Sequence, residues 1–194
     1  MPVRRLRLHD APAVAHLTAR ADARRLGRPL PDDPTAHDAS HHRAASRWER
    51  DIAAVDGIAL GWFGADRLEA AVLVVPARAD NGHGEVIQGW AHLSLLATDP
   101  EHWGRGHASR LLDHTEVRVA EQGHQLVELW TQRDNLRARR LYERRGWARS
   151  RRLPALNEHG ETMVHYQRTL PALLLGRAFV SDHETTAHRP PPSA

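Results

Sequence analysis

Cysteine is absent from this 194-residue chain. Its absence excludes disulfides, thiolate metal sites and a cysteine nucleophile, and it leaves the redox compartment unreadable. Lysine is absent too, so all 27 basic residues are arginine. With 15 histidines and many alanines, the pattern looks like a GC-rich coding bias and carries no functional signal. Long apolar runs are also missing. The longest, Ala70 to Pro76, is far too short to span a bilayer. Arg4, Arg5 and Arg7 open the chain with no apolar stretch behind them, so no signal peptide is expected. A cytoplasmic location without membrane contact is the default expectation. The formal net charge of +3 is mild and gives no reason to expect a nucleic-acid partner.

What is present suits one soluble domain. A hydrophobic content of 41% is ordinary, and the length can bury a sizeable core. Val3 to Leu8 alternates weakly and predicts a first strand. Asp10 is a plausible N-cap, with Pro12 in the first turn of a helix that runs to about Gly27. Residues 28–40 are rich in proline and turn acids and read as a loop. Ala44 to Val55 predicts a second helix. Ile58 to Phe63 and Leu68 to Val75 predict a hairpin, with Ala65-Asp66-Arg67 at its turn. Val86 to Ala97 reads as a strand. A helix then buries Ala108, Leu111, Leu112, Thr115 and Val119 and stops at Gly123. Leu126 to Thr131, Trp147 to Leu153 and Thr162 to Thr169 complete the strands. Residues 171–194 form an extension, expected to be disordered from about 181.

Two segments carry the chemistry. The first is Trp103-Gly104-Arg105-Gly106-His107-Ala108, between a strand and a helix. Glycine allows positive φ and close backbone approach. The free N–H groups of a first helical turn, with the helix dipole, attract an anion. The second is Asn135-Leu136-Arg137-Ala138-Arg139-Arg140-Leu141-Tyr142-Glu143-Arg144-Arg145-Gly146-Trp147. Asn135, Ala138 and Tyr142 share one helix face, and the arginines are expected mostly on the others.

Together these segments resemble the GNAT family, the Gcn5-related N-acetyltransferases. The family's loop, Gln/Arg-x-x-Gly-x-Gly/Ala, is met at Gly106 and Ala108, while Trp103 replaces its polar residue. The family's Asn-x-x-Ala-x-x-Phe/Leu-Tyr-x-x-x-Gly-Phe/Trp is met at Asn135, Ala138, Leu141, Tyr142, Gly146 and Trp147. The resemblance implies an α/β (α+β) GNAT fold over residues 1–170. That fold is a mixed, mostly antiparallel sheet whose parallel strands splay apart, flanked by helices. It implies transfer of acetyl from acetyl-CoA, as co-substrate, to a primary amine by direct attack in a ternary complex. The alternatives are a CoA-binding regulatory module without catalysis and transfer of a longer acyl group. The acceptor is left open between small amine, antibiotic, peptide N-terminus and lysine, and a homodimer is compatible with the fold.

The resemblance also assigns residues. Gly104, Arg105, Gly106, His107, Ala108 and Ser109 are expected to bind the CoA pyrophosphate through their N–H groups. Leu96, Ala97 and Thr98 are expected to pair with the pantetheine arm, a backbone N–H near Ala97 polarising the thioester carbonyl. Tyr142 is the candidate general acid toward the leaving thiolate, or else a packing aromatic. Asn135 is a candidate cofactor contact, or a helix cap. His92 is the candidate general base, placed by strand alternation on the face of Ser94 and Leu96. Histone-type members carry a glutamate at the matching position. Members that acetylate ribosomal protein N-termini carry a glutamate where this chain has Trp130, which reads here as an apolar wall. Glu85 and Glu128 are weaker base candidates, more readily read as solvated or paired strand acids. Asp32, Asp33 and Asp38 could pair with a cationic acceptor but read more simply as turn and cap residues. His37, His41 and His42 raise the question of a metal, yet the family needs none, and no metal site is expected.

Overall fold

The computed structural model describes residues 2–31, 39–54, 56–65 and 67–171, with the side chains of 39–44 and 81 left aside. Asp32, Asp33, His37, Asp38 and the expected disorder beyond 181 therefore lie outside the described residues. His41 and His42 fall in a helix, with their side chains outside the described set.

The elements follow the expected order. They are β1 (Val3–Arg5), α1 (Ala11–Arg25), α2 (Ala39–Ala53), β2 (Ile58–Phe63), β3 (Leu68–Arg78), a single-turn α3 (Ala79–Gly82) and β4 (Val86–Thr98). Then come α4 (His107–Glu121), β5 (Leu126–Gln132), α5 (Leu136–Arg144), β6 (Ala148–Arg149), β7 (Ala155–Leu156) and β8 (Thr162–Thr169). The eight strands form one sheet in the order β1-β2-β3-β4-β5-β8-β6, with β7 also on β8. Only β4 and β5 pair in parallel; the other described pairs are antiparallel. No helix among the described residues is long and apolar enough to cross a membrane.

Helices cover both faces of the sheet, so β3 reads as a continuous apolar run instead of alternating. Val72 and Val74 pack with Leu111 and Leu112 of α4 and Tyr142 of α5 on one face. Ala71 and Leu73 pack with Val14 and Leu17 of α1 and Trp48 of α2 on the other.

Several expectations are corrected locally. The first strand stops at Arg5, and a 3-10 turn, Leu8–Asp10, follows it. The Asp10 carboxylate caps that turn, accepting from the Arg7 N–H at 2.7 Å, and pairs with Arg4. It does not cap α1 through its side chain. Of the strand expected over 147–153, only Ala148–Arg149 forms. Leu153 is left exposed, because only the start of the segment meets β8.

Leu111 is fully buried between α4 and the sheet. Leu111→Ala should lower unfolding free energy by about 2–5 kcal/mol, read by denaturant titration. A cost below about 1 kcal/mol would show that this core is loosely packed.

Candidate functional site

The site begins with a register fault. β3 pairs Leu73 with Leu95 but Val74 with Leu93, so Ser94 is an extra, unpaired residue, a β-bulge. The bulge reverses side-chain parity along β4. Ala91, Leu93 and Leu96 pack with the α4/α5 cluster, while Leu95 and Ala97 pack with the α1/α2 cluster. His92, between Ala91 and Leu93, faces the α1/α2 side. Leu96 faces the other way, so the expected shared face of His92 and Leu96 is corrected.

The parallel ladder is short. Trp90, Ala91 and His92 pair with Leu126, Val127 and Glu128, and there it ends. Beyond it β4 continues on β3, and β5 continues on β8. The facing edges part. Alternate N–H and C=O groups from Leu93 to Thr98 then point into a gap with no strand partner across it. Such groups favour any ligand that pairs with them. A cleft of ≈ 2820 Å³ runs through this gap. Single-ligand pockets usually measure about 300–1,000 Å³, so there is room for two substrates together. Leu96, Ala97, Thr98 and His92 all line it.

One wall is the N-terminus of α4. Gly104 and Gly106 have φ of +84° and +83°. A Cβ at either would meet nothing within 4 Å. Glycine is therefore required by conformation, and the space before the backbone is open to a ligand. The N–H groups of Gly104, Gly106, His107, Ala108 and Ser109 have no acceptor among the described residues, and all five residues line the cleft. Arg105 differs. Its N–H donates to the His102 carbonyl at 3.3 Å, and it is not part of the lining. His107 contributes its backbone; its ring packs inward, stacked on Trp62 at 4.5 Å beside Glu69. Burial holds its pKa below the ordinary imidazole value against the opposing pull of Glu69.

Trp103, the departure from the family pattern, has a structural use. Its indole N–H donates to the Thr98 carbonyl at 2.8 Å, and Arg137 lies 4.4 Å over its ring. The loop is thus tied both to the end of β4 and to α5. Asp99 anchors its base. This buried carboxylate takes Arg20 Nε at 2.8 Å and the Glu101 N–H at 2.9 Å. Burial would raise its pKa, but these bonds and the Arg20 charge hold it below the usual carboxylate range.

α5 forms the opposite wall. The Asn135 Oδ1 caps the helix, accepting from the Ala138 N–H at 3.2 Å. Its side-chain amide has no partner among the described residues, and the residue lines the cleft. The Tyr142 ring is buried against Trp147 and Tyr166. Its hydroxyl bonds to no described residue and is not among the sealed, unpartnered polar atoms, so it opens on the cleft it lines. Burial pushes its pKa upward and keeps it protonated. Arg137, Arg140 and Arg144 fall on another face of the helix, as expected, and they too line the cleft. Their spacing of three and seven was the available signal, the same that united Asn135, Ala138 and Tyr142. Burial and the nearby Arg144 lower the Arg137 pKa.

The floor holds the residue that sequence reasoning undervalued. Glu128 is 3% exposed. Its carboxylate meets His165 Nε2 at 3.1 Å, Arg152 at 3.2 Å and His92 Nδ1 at 3.6 Å. Burial alone would raise its pKa, but these partners bring it down to about 2. It is paired, not solvated. Glu85 is exposed and lies off the cleft, whereas Trp130 lines it, edge-on to His165 at 4.8 Å. Among the described residues no group of His, Asp or Glu has the arrangement of a metal site.

Comparison with known proteins agrees with this geometry. A family model described as the acetyltransferase (GNAT) family matches residues 19–147. No curated protein matches the chain by sequence. Solved structures match by fold. The ribosomal-protein-S18-alanine N-acetyltransferase from Escherichia coli is 20% identical, with a TM-score of 0.60 over 87% of this chain and 92% of that one. The paia N-acetyltransferase from Thermoplasma acidophilum, in complex with coenzyme A, is 14% identical, with a TM-score of 0.57 over 86% and 98%. The yncA protein from Salmonella typhimurium, with its cofactor acetyl-CoA, is 15% identical, with a TM-score of 0.62 over 87% and 93%.

Glu128 and Asp99 both have depressed folded-state pKa values. Their contribution is therefore complete above the unfolded values, near ~4, and is lost as pH falls through the folded ones. Stability should drop between about pH 5 and pH 2. Glu128→Gln should cost up to about 3 kcal/mol at pH 7 and flatten that drop. A Glu128→Gln curve parallel to that of the parent would contradict the assignment.

Proposed function

We propose that this chain, which belongs to the acetyltransferase (GNAT) family, moves an acetyl group from acetyl-CoA to an amine held beside it in the same cleft. The observation that carries this reading is the cleft itself. It places an anion cradle at the start of α4, unpaired strand groups in the β4–β5 gap and the Tyr142 hydroxyl in one continuous space.

The chain's residues fit a CoA. The five free N–H groups of the α4 turn suit its pyrophosphate, with Arg137, Arg140 and Arg144 supplying charge across the way. Of the stretch Leu96, Ala97 and Thr98, the alternate groups that face the gap suit the amides of its arm, and an N–H there can polarise the thioester oxygen. Asn135 can add its spare amide. The helix face of Tyr142 lies with α4 on one side of the sheet, while His92 faces the α1/α2 side. The gap joins the two faces, so CoA and acceptor can meet through it.

The roles then divide. An acceptor amine has a pKa near ~10 and must lose a proton to attack. His92 takes that proton, the amine nitrogen bonds the acetyl carbon, the carbon–sulfur bond breaks, and Tyr142 supplies a proton to the departing sulfur; the second proton that the acylated nitrogen sheds returns through solvent to the Tyr142 oxygen. With no cysteine in the chain, direct transfer replaces a cysteine acyl-enzyme. Acetylation of an amino group, as against another acceptor, is tested by thiol release with spermidine, kanamycin, an alanine-leading peptide and a lysine-substitute series of alkylamines.

Acetyl-CoA at about a hundred times its dissociation constant should stabilise the fold by roughly 2.7 kcal/mol and raise Tm. Gly106→Asp, which places a carboxylate in the anion cradle, should abolish that shift. No shift with the parent protein would remove the central claim.

Tyr142→Phe keeps the ring and its packing. It should hold the acetyl-CoA dissociation constant within a few-fold and lower turnover by about a hundred- to ten-thousand-fold. Normal turnover would leave Tyr142 a packing residue only.

A further inference from the structure

Glu128 sits at the last rung of the parallel ladder, directly opposite His92. Four groups from four segments converge there: His92 on β4, Glu128 on β5, His165 on β8 and Arg152 between β6 and β7. Behind them the chain of bonds is complete. His165 Nδ1 lies 2.7 Å from Ser150 Oγ, which also accepts the Arg152 N–H at 3.1 Å. One tautomer of His165 satisfies every contact. Its Nε2–H donates to Glu128, and its Nδ1 accepts from the Ser150 hydroxyl. The carboxylate is therefore held from behind, with His92 as its remaining neighbour toward the cleft.

Two roles are open to such a carboxylate near an amine site: to take the proton itself, or to act through the imidazole. Magnitude and access decide. A carboxylate at about 2 is a weaker proton acceptor than an ordinary imidazole near ~6.5, by roughly ten-thousand-fold. It is also buried, whereas the His92 side chain is 28% exposed.

We propose that Glu128 is the positioning residue for His92. It selects the Nδ1–H tautomer, leaves Nε2 open to the cleft for the acceptor's proton, and offsets the positive charge that the imidazole then carries. The contact of 3.6 Å is slightly longer than a hydrogen bond, and a shift of the ring by a few tenths of an ångström closes it. The proton taken from the amine stays on Nε2 in this step, and Glu128 remains ionised throughout. The same logic governs a carboxylate behind a catalytic histidine in hydrolases. This proposal rests on the reading of His92 as the base.

The test uses the full chain labelled with 15N-histidine, with His92 assigned through His92→Ala. In the parent protein, neutral His92 should be mainly the Nδ1–H tautomer; an Nε2–H majority overturns the proposal, and this result needs no Glu128 variant. Glu128→Gln should raise the Nε2–H share of neutral His92. With the panel amine of highest turnover, it should shift the acid limb of kcat/KM to lower pH. It should also reduce the plateau about ten-fold, with acetyl-CoA affinity kept within a few-fold. Glu128→Asp should restore part of the loss. An unmoved tautomer balance and an unmoved limb in Glu128→Gln overturn the proposal while leaving the base reading intact. A normal pH profile in His92→Ala overturns the base reading, and the proposal with it.

Discussion

Everything at the site depends on β4 and β5 staying together for three residues and then parting. Each strand is held on its far edge after the parting. Leu95 to Thr98 remain paired with β3, and Leu129 to Gln132 with β8. The separation is thus enforced by two antiparallel ladders, and closing it would break one of them. An open strand edge inside a sheet is costly unless something pairs with it. Here the edge lies on a cleft, where solvent or a ligand can do so. The Ser94 bulge belongs to the same constraint, since bulges sharpen local twist and bend the strand that carries them.

The loop after β4 is tied down in proportion to what it must present. Asp99 and Arg20 lock its base to α1, Trp103 locks its middle to the Thr98 carbonyl, and the α4 helix extends its far end. Leaving one partner of a buried ion pair alone is severe, so Arg20 and Asp99 hold the loop firmly. The N–H groups that remain free are thus fixed in direction before any anion arrives. That lowers the ordering cost of binding. The Arg137–Trp103 contact links this loop to the helix bearing Tyr142, so both walls of the cleft share one joint.

Local chemistry made much of this legible in the sequence. The glycines at positive φ, the Asn135 cap and the Tyr142 face all follow from patterns within a dozen residues. The parity of β4 did not, because the Ser94 bulge depends on pairing with β3. Without it, alternation wrongly puts Leu96 on the His92 face. The strand expected over 147–153 failed because too little partner strand lies beside it. Glu128 was undervalued because its meaning comes from His165 and Arg152, which the fold brings in from distant positions. An acid in a strand looks the same on paper whether solvated or surrounded by cations.

Tyr142 and Glu128 show one physical cost resolved in opposite ways. Both are buried, and burial disfavours the charged form of each. Among the described residues Tyr142 has no cation or hydrogen-bond donor to offset this, so burial prevails and the phenol keeps its proton. Glu128 has two histidines and an arginine around it, so the partners prevail and the carboxylate stays ionised. A cleft with a proton held on one side of the sheet and a fixed negative charge on the other is polarised before any substrate enters. The proposed reaction, which takes a proton from an incoming amine and gives one to a departing sulfur, would be served by that polarity. The core packing that buries both groups is therefore part of the site's chemistry as well as of its stability.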